Sequence, residues 1–270
     1  MSVLASQIPK ATPRGPWGAF IAGALACVMA VAVAQWPARW LAPLVRLVSD
    51  GRLHLMEAQG TVWQGSAYLA LGDGSDRTAP LAWAQRLHWQ LSPLGVTDWQ
   101  LQLRRDSPVE ARPWVWRIHW HPSGWQLTLS DIDWPLPTAW LAGLGTPWNT
   151  VQPDGVMRLR SQGWQWHPGR ADRPASGELT LTLERFSTRL SSLRPLGDYR
   201  LRLHSASGLQ VELSTLQGHL RMTGSGRWRN GRLQFQGEAW ADQAQDETAL
   251  SNLLHVLGPR IGAKTLLKVG

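Results

Sequence analysis

His119 and His121 flank Trp120. In an extended chain, residues two apart share a face, so both imidazoles point the same way, a spacing that can hold a metal. A metal site needs a third ligand, and no neighbouring residue supplies one. Two solvent-facing histidines are therefore the preferred reading. Asp131 and Asp133 share a face by the same rule, and a carboxylate pair can do acid–base work. They precede a proline-rich turn, where such carboxylates more often accept backbone N–H bonds. Ser66 and Ser225 occur as GSA and GSG, but neither lies in a G-x-S-x-G elbow leading into a helix. Gly224, Gly226 and Gly231 are close enough to suggest a phosphate cradle, yet they alternate with strand residues and open no helix. The sequence holds no Walker A, H-E-x-x-H or EF-hand pattern. These residues predict no catalytic group, no metal and no cofactor: a protein that binds and does not react.

The arginines are the richer signal. Formal net charge is +8, and Arg104, Arg105, Arg158, Arg160, Arg200, Arg202, Arg227 and Arg229 mostly fall on the polar side of alternating runs. A basic face suits an acidic partner. The alternative is that arginines solubilise strands and block edge-to-edge pairing.

Which partner is acidic depends on topology. Residues 17–36, WGAFIAGALACVMAVAVAQW, contain no charged side chain. A helix needs about 20 such residues to cross a bilayer core of about 30 Å. Trp17 and Trp36 bracket the stretch, and Trp40 follows, so all three are candidate interfacial anchors. Lys10 and Arg14 precede it and favour a cytoplasmic amino end. Ala32-Val33-Ala34 resembles a signal-peptidase site, but the apolar run before it exceeds an ordinary signal core. Cys27 follows Leu25-Ala26 as in a lipoprotein box, with imperfect spacing. The expectation is a single-span protein with a short cytoplasmic tail and its body on the far side of the membrane, which for a bacterial chain is the periplasm. Nucleic acid is excluded there as a partner, while anionic lipid and acidic envelope proteins are not. The one cysteine allows no intrachain disulfide.

Residues 37–48 predict a short amphipathic exit helix, with Trp40, Leu41, Leu44, Val45 and Val48 near one face. It would lie on the membrane or cap the body's core. After Asp50-Gly51 the period becomes two. The pattern recurs in RLHLMEA (52–58), TVWQGSAYLAL (61–71), WQLQLRR (99–105), VWRIHW (115–120), ELTLTLER (178–185), YRLRLHS (199–205) and GRLQFQGEAW (231–240). Such alternation predicts a mainly β protein, a meander of about a dozen antiparallel strands with one face buried. Asn230-Gly231 is a hairpin signal. Residues 131–153 hold four prolines and little alternation, with a short helix expected over Thr138–Leu144. This stretch could divide the sheet domain, which is either curved or two-lobed. Thr248 is a candidate cap for a short C-terminal helix that Gly258-Pro259 stops, and KTLLKV (264–269) reads as a last strand. The domain plan is a tail (1–16), a transmembrane helix (17–36), an exit helix and linker (37–50) and a periplasmic β-rich domain (51–270).

Several of these pieces together resemble the type II secretion system protein N family. They are the N-terminal span, Gly60-Thr61-Val62-Trp63-Gln64-Gly65-Ser66-Ala67, Pro195-Leu196-Gly197-Asp198-Tyr199, and the closing strand, Leu-rich helix and terminal strand. The resemblance implies an accessory inner-membrane component with a periplasmic β-rich domain. Its partners would be other inner-membrane and periplasmic subunits of the secretion machine, and it carries over no catalytic residue. Gly60, Trp63, Gly65, Gly197, Tyr199, Arg200 and Arg202 are the structural and partner candidates. Trp63 is expected to lie across Gly65, or across a neighbouring strand's small residue, and to anchor the first hairpin. The alternative function is a lipid-handling protein with an apolar β-groove. A hydrolase or carbohydrate-binding protein using exposed tryptophans is a third reading.

Overall fold

The computed structural model describes residues 17–74, 79–106, 112–122, 124–145, 148–167, 175–205, 208–229 and 232–269. The chain forms two units, Met1–Trp36 and Pro37–Gly270. In the first, helix α1 covers Trp17–Ala34. It ends two residues short of the expected span, where Gln35 and Trp36 donate back to the Val31 and Val33 carbonyls at 2.9 and 3.3 Å. The Trp17 side chain lies outside the described residues; those from Phe20 onward are exposed. Among the described residues no helix is long and apolar enough to cross a membrane.

The second unit opens with a 3-10 turn, Ala38–Trp40, and helix α2, Leu41–Val48. The expected apolar face of this segment divides. Ala38 is buried against Ala67 and Trp89 with Leu41 and Leu55 beside it, and Val45 is half-buried. Trp40, Leu44, Leu47 and Val48 instead point to solvent.

Strands β1 (Leu53–Gly60), β2 (Gln64–Leu71), β3 (Leu81–Pro93), β4 (Asp98–Arg105), β5 (Trp114–His121), β6 (Gly124–Leu129) and β7 (Ile132–Pro137) follow. A 3-10 helix over Thr138–Leu144 and helix α3, Trp148–Val151, interrupt the meander. It resumes with β8 (Asp154–Trp166), β9 (Ala175–Ser187), β10 (Gly197–Ser205), β11 (Leu209–Gly218), β12 (Leu220–Arg229) and β13 (Arg232–Ala241). Helix α4 (Glu247–Leu257), β14 (Arg260–Ile261) and β15 (Lys264–Val269) close the chain. Among the described residues the fifteen strands belong to one open antiparallel sheet, ordered β1-β2-β3-β4-β5-β6-β8-β9-β10-β11-β12-β13-β15-β14, with β7 attached to β8. The sequence pattern shows none of β7, because Pro135 and Pro137 break it; a strand with a single neighbour tolerates proline. The hairpin residues Asn230-Gly231 lie outside the described residues.

Register explains the alternation. Leu159, Leu181, Leu201 and Leu213 stand in one cross-strand row, and Arg160, Thr180, Arg202 and Glu212 in the next, on the opposite face. The apolar face is covered unevenly. At one end α4 presses Leu250, Leu253 and Leu254 onto Phe186, Leu196, Tyr199, Leu220 and Ala239. Near the other end the 3-10 helix packs so closely on β2 that a Cβ on Gly143 would lie 2.4 Å from the Leu71 carbonyl oxygen. Between them, Leu159, Leu181, Leu201 and Leu213 stay half-exposed.

Helix α4 begins at Glu247, so Thr248 is inside it and not its cap. Asp246 precedes the helix without capping it; its carboxylate accepts the His219 Nδ1 bond at 2.7 Å. The core beneath α4 turns on Tyr199. It is buried, donates its hydroxyl to the Leu220 carbonyl at 2.9 Å and meets Phe186 edge-to-face at 5.7 Å. Burial, with the Asp198 charge adding, pushes its hydroxyl pKa up. Gly197 faces Gly218 across β10 and β11. A Cβ on Gly218 would lie 2.2 Å from the Gly197 Cα, so the two backbones approach closer than any side chain allows.

Gly218→Ala should therefore destabilise the chain by about 1–3 kcal/mol or more in urea unfolding, the cost of overpacking a fixed backbone. Tyr199→Phe should cost about 1–3 kcal/mol by leaving the buried Leu220 carbonyl without its donor. Parental stability in both would remove this corner as a keystone of the α4 end.

Candidate functional surface

The GTVWQGSA segment folds as a turn between two strands. Gly60 ends β1 at φ 85°, and a Cβ there would sit 2.5 Å from the Gln64 carbonyl oxygen. Thr61 closes the turn: its N–H donates to the Gln64 carbonyl at 2.8 Å, and its hydroxyl accepts the Gln64 N–H at 3.1 Å. Trp63 lies in this turn and not inside a strand. Its ring stacks on Trp99 of β4, 5.7 Å away at 21°. The hollow over Gly65 is filled by a different indole. A Cβ on Gly65 would lie 2.5 Å from the Trp89 ring, and Trp89 Nε1 donates to the Val62 carbonyl at 3.1 Å. Trp63 thus anchors the turn to β4, while Trp89 of β3 covers the glycine. Gly65 signals that a ring lies over it, and the register of β2 against β3 selects Trp89.

The polar face of the sheet is a ladder of ion pairs. Arg202 forks onto Glu178, Nε to Oε1 at 3.1 Å and an Nη to Oε2 at 2.7 Å, and the Thr180 hydroxyl joins Oε1 at 2.6 Å. Arg202 and Thr180 together hold the Glu178 carboxyl down at about 2. Asp133 takes Arg160 at 2.9 Å and Arg158 at 3.4 Å. Arg221 meets Asp242 at 2.7 Å, and Lys264 meets Glu238 at 2.6 Å. Arg200 is exposed on the same face, between Thr182 and Ser214, and has no acidic partner among the described residues. Arg105 breaks the expected pattern. It shares parity with Leu101 and Leu103, opposite Leu87 of β3, so it lies on the apolar face.

The other candidate groups have structural partners. His119 Nδ1 bonds the Asp98 carboxylate, and that hydrogen bond lowers the Asp98 pKa. The His119 and His121 rings meet edge-on at 4.0 Å. Among the described residues no three His, Cys, Asp or Glu side chains could hold a metal ion. Asp131 accepts the Gly163 N–H at 2.7 Å, while Asp133 serves the arginines. Ser66 accepts from Arg86 at 3.2 Å. Gly224 makes room for Phe235, whose Cζ would be 2.4 Å from an added Cβ, so the glycines of β12 seat an aromatic ring.

Residues 51–265 match the family described as type II secretion system (T2SS), protein N, and the chain belongs to that family. It is thereby a component of type II secretion, in a cell-envelope setting. No curated protein and no solved structure matches it.

Two outcomes test the site geometry. Trp89→Ala should cost about 3–5 kcal/mol and the half-buried Trp63→Ala clearly less, because the cavity term grows with burial; equal losses in urea melts would remove the difference in core role between the two rings. The second concerns pH. A carboxyl depressed on folding stabilises the protein above its unfolded value, 4.5 for Glu178, and loses that contribution as pH falls through about 2. The side chains of Arg202 and Glu178 are 44% and 29% exposed, so solvent screening reduces the fork to about 1 kcal/mol. Arg202→Gln should be less stable than the parent by that amount at pH 7, with the gap closing towards pH 2. A gap unchanged between the two pH values would remove the charged fork as its source.

Proposed function

We propose that this protein is an accessory inner-membrane component of the type II secretion apparatus, anchored by residues 17–36, with residues 51–270 in the periplasm. It acts by contact with the machine's other inner-membrane and periplasmic subunits. The family match over residues 51–265 carries this reading. The uncharged, solvent-exposed α1 supports the anchor, with Lys10 and Arg14 before it and exposed Trp36 and Trp40 after it.

Contact through the sheet face is favoured over contact through the first strand edge. Strand β1 carries a register shift between Met56 and Gln59, and Glu57 sits at φ 51°. α2 packs against the same strand. Bulges and covering helices are the ordinary means by which an edge is kept from pairing with another chain. On the polar face Arg200 is exposed and offers a fork to a carboxylate on a partner.

A photocrosslinking amino acid in place of Arg200, in cells running type II secretion, should capture another subunit of that machine. The full chain should stay with the membrane pellet through alkaline carbonate. A chain found intact in the soluble fraction would overturn the anchor. Crosslinks confined to proteins outside the secretion machine would overturn the contact role.

A further inference from the structure

The sheet has a seam where it passes from β6 to β8. Strand β6 pairs with the far end of β8, Leu127 opposite Trp166, and β7 pairs with its near part, Ile132 opposite Ser161. Among the described residues strand β7 has no other strand neighbour. Its open side borders a cleft of ≈ 710 Å³ whose walls include Arg105, Arg112, Asp131, Asp133, Trp134 and Arg160. The two carboxylates are engaged, Asp133 by Arg158 and Arg160 and Asp131 by the Gly163 N–H. Arg105 and Arg112 have no acidic partner among the described residues.

Arg105 is unusually placed. Its guanidinium lies over the Trp134 ring, 5.5 Å from the centroid, and its Nε is buried without a hydrogen-bond partner. Desolvation, with the Arg158 charge adding, lowers its pKa. A buried, unpaired donor on a cation is costly and calls for a partner that completes it. Next to it stands an apolar wall. Trp134 meets Trp114 at 5.8 Å, and Trp114 meets Trp116 at 4.9 Å. Leu129, Leu179 and Leu203 continue the same cluster.

Paired cations at the rim of an aromatic and aliphatic wall complement one chemical class: an amphiphile with an anionic head and a hydrocarbon tail. We propose that the seam cleft binds an anionic phospholipid, its phosphate held by Arg105 and Arg112 and its acyl chain laid beside Trp134 and Trp114. An acidic peptide is the weaker fit. It would have to extend the sheet along the free edge of β7, where Pro135 and Pro137 provide no N–H donors. The site does not depend on the secretion role and goes beyond it.

The test uses the full chain in dodecyl maltoside micelles doped with phosphatidylglycerol that carries a photoactivatable diazirine on its acyl chain. Peptides containing Trp114 or Trp134 should be labelled. That labelling should fall about tenfold in Arg105→Gln, the loss expected for one charge-assisted hydrogen bond, and should largely survive in Arg105→Lys. Labelling of residues 17–36 by the same probe should be unchanged in both variants, which separates loss of the site from loss of delivery. Near-ultraviolet circular dichroism should show both variants folded. The proposal fails if the diacylglycerol analogue, which lacks phosphate, labels the same peptides equally. It fails if labelling is indifferent to Arg105→Gln. It also fails if millimolar inorganic phosphate abolishes the labelling, because the cleft would then be a site for free anions.

Discussion

A β-sheet one layer thick must find a cover for its apolar face, and this constraint organises the whole second unit. Alternation every two residues sends Leu159, Leu181, Leu201 and Leu213 to one side and Arg160, Thr180, Arg202 and Glu212 to the other. All the described strands belong to a single sheet, so the apolar side is closed by other means. Helix α4 closes one end. The 3-10 turn Ala38–Trp40 and α2 serve the other, through Ala38 and Leu41. The middle relies on its own side chains, tryptophans prominent among them, and leaves its leucine row half-exposed. An indole buries about 150–250 Å², more than any other side chain. Trp63 on Trp99, Trp114 on Trp116 and Trp125 against Trp166 are each part of that self-made cover.

The glycines belong to the same device. A ring can lie flat on a pleated surface only where the residue beneath it has no Cβ. Gly65 receives Trp89, and Gly224 receives Phe235. Gly197 leaves its space to the Tyr199 hydroxyl, 3.0 Å from where a Cβ would stand. In each case the intrinsic weakness of glycine in a strand is offset by apolar area that the ring removes from water. Gly65 with Trp89 and Gly224 with Phe235 are pairs across strands, whose sequence separation is set by hairpin length, whereas Gly197 and Tyr199 stand two apart on β10.

That distinction decides what could be read in advance. The mainly β class, the direction of alternation, the C-terminal helix and the last strand were legible, because each is a local pattern. So was the backbone bonding of Asp131. Cross-strand identities were not. Gly65 announces that some ring lies above it, but only the register of β2 against β3 selects Trp89 over the nearer Trp63. Strand β7 was hidden by its prolines, and its place at a free edge is visible only when β8 is seen to be longer than β6. Arg105 was legible and was misread. The parity of Leu101, Leu103 and Arg105 puts it on the apolar side, yet its charge argues for the wet side, and the backbone period prevails.

The ionic face limits how a partner can be recognised. The chain carries a formal charge of +8, which suggests long-range attraction of anything acidic. In the folded body much of the arginine charge along the central strands is already neutralised: Arg202 by Glu178, Arg158 and Arg160 by Asp133, Arg221 by Asp242. Charges paired at contact distance present little net field beyond a screening length of about 8 Å. Under the proposed contact role, association through this face is governed by short-range fit, in which a partner's carboxylate must reach a fork such as Arg200, which has no acidic partner among the described residues. The rigid Thr and Arg rows around it, fixed by backbone register, hold that fork in place. A sheet that neutralises its own ladder gives up electrostatic steering and keeps specificity, which is consistent with the contact role proposed above.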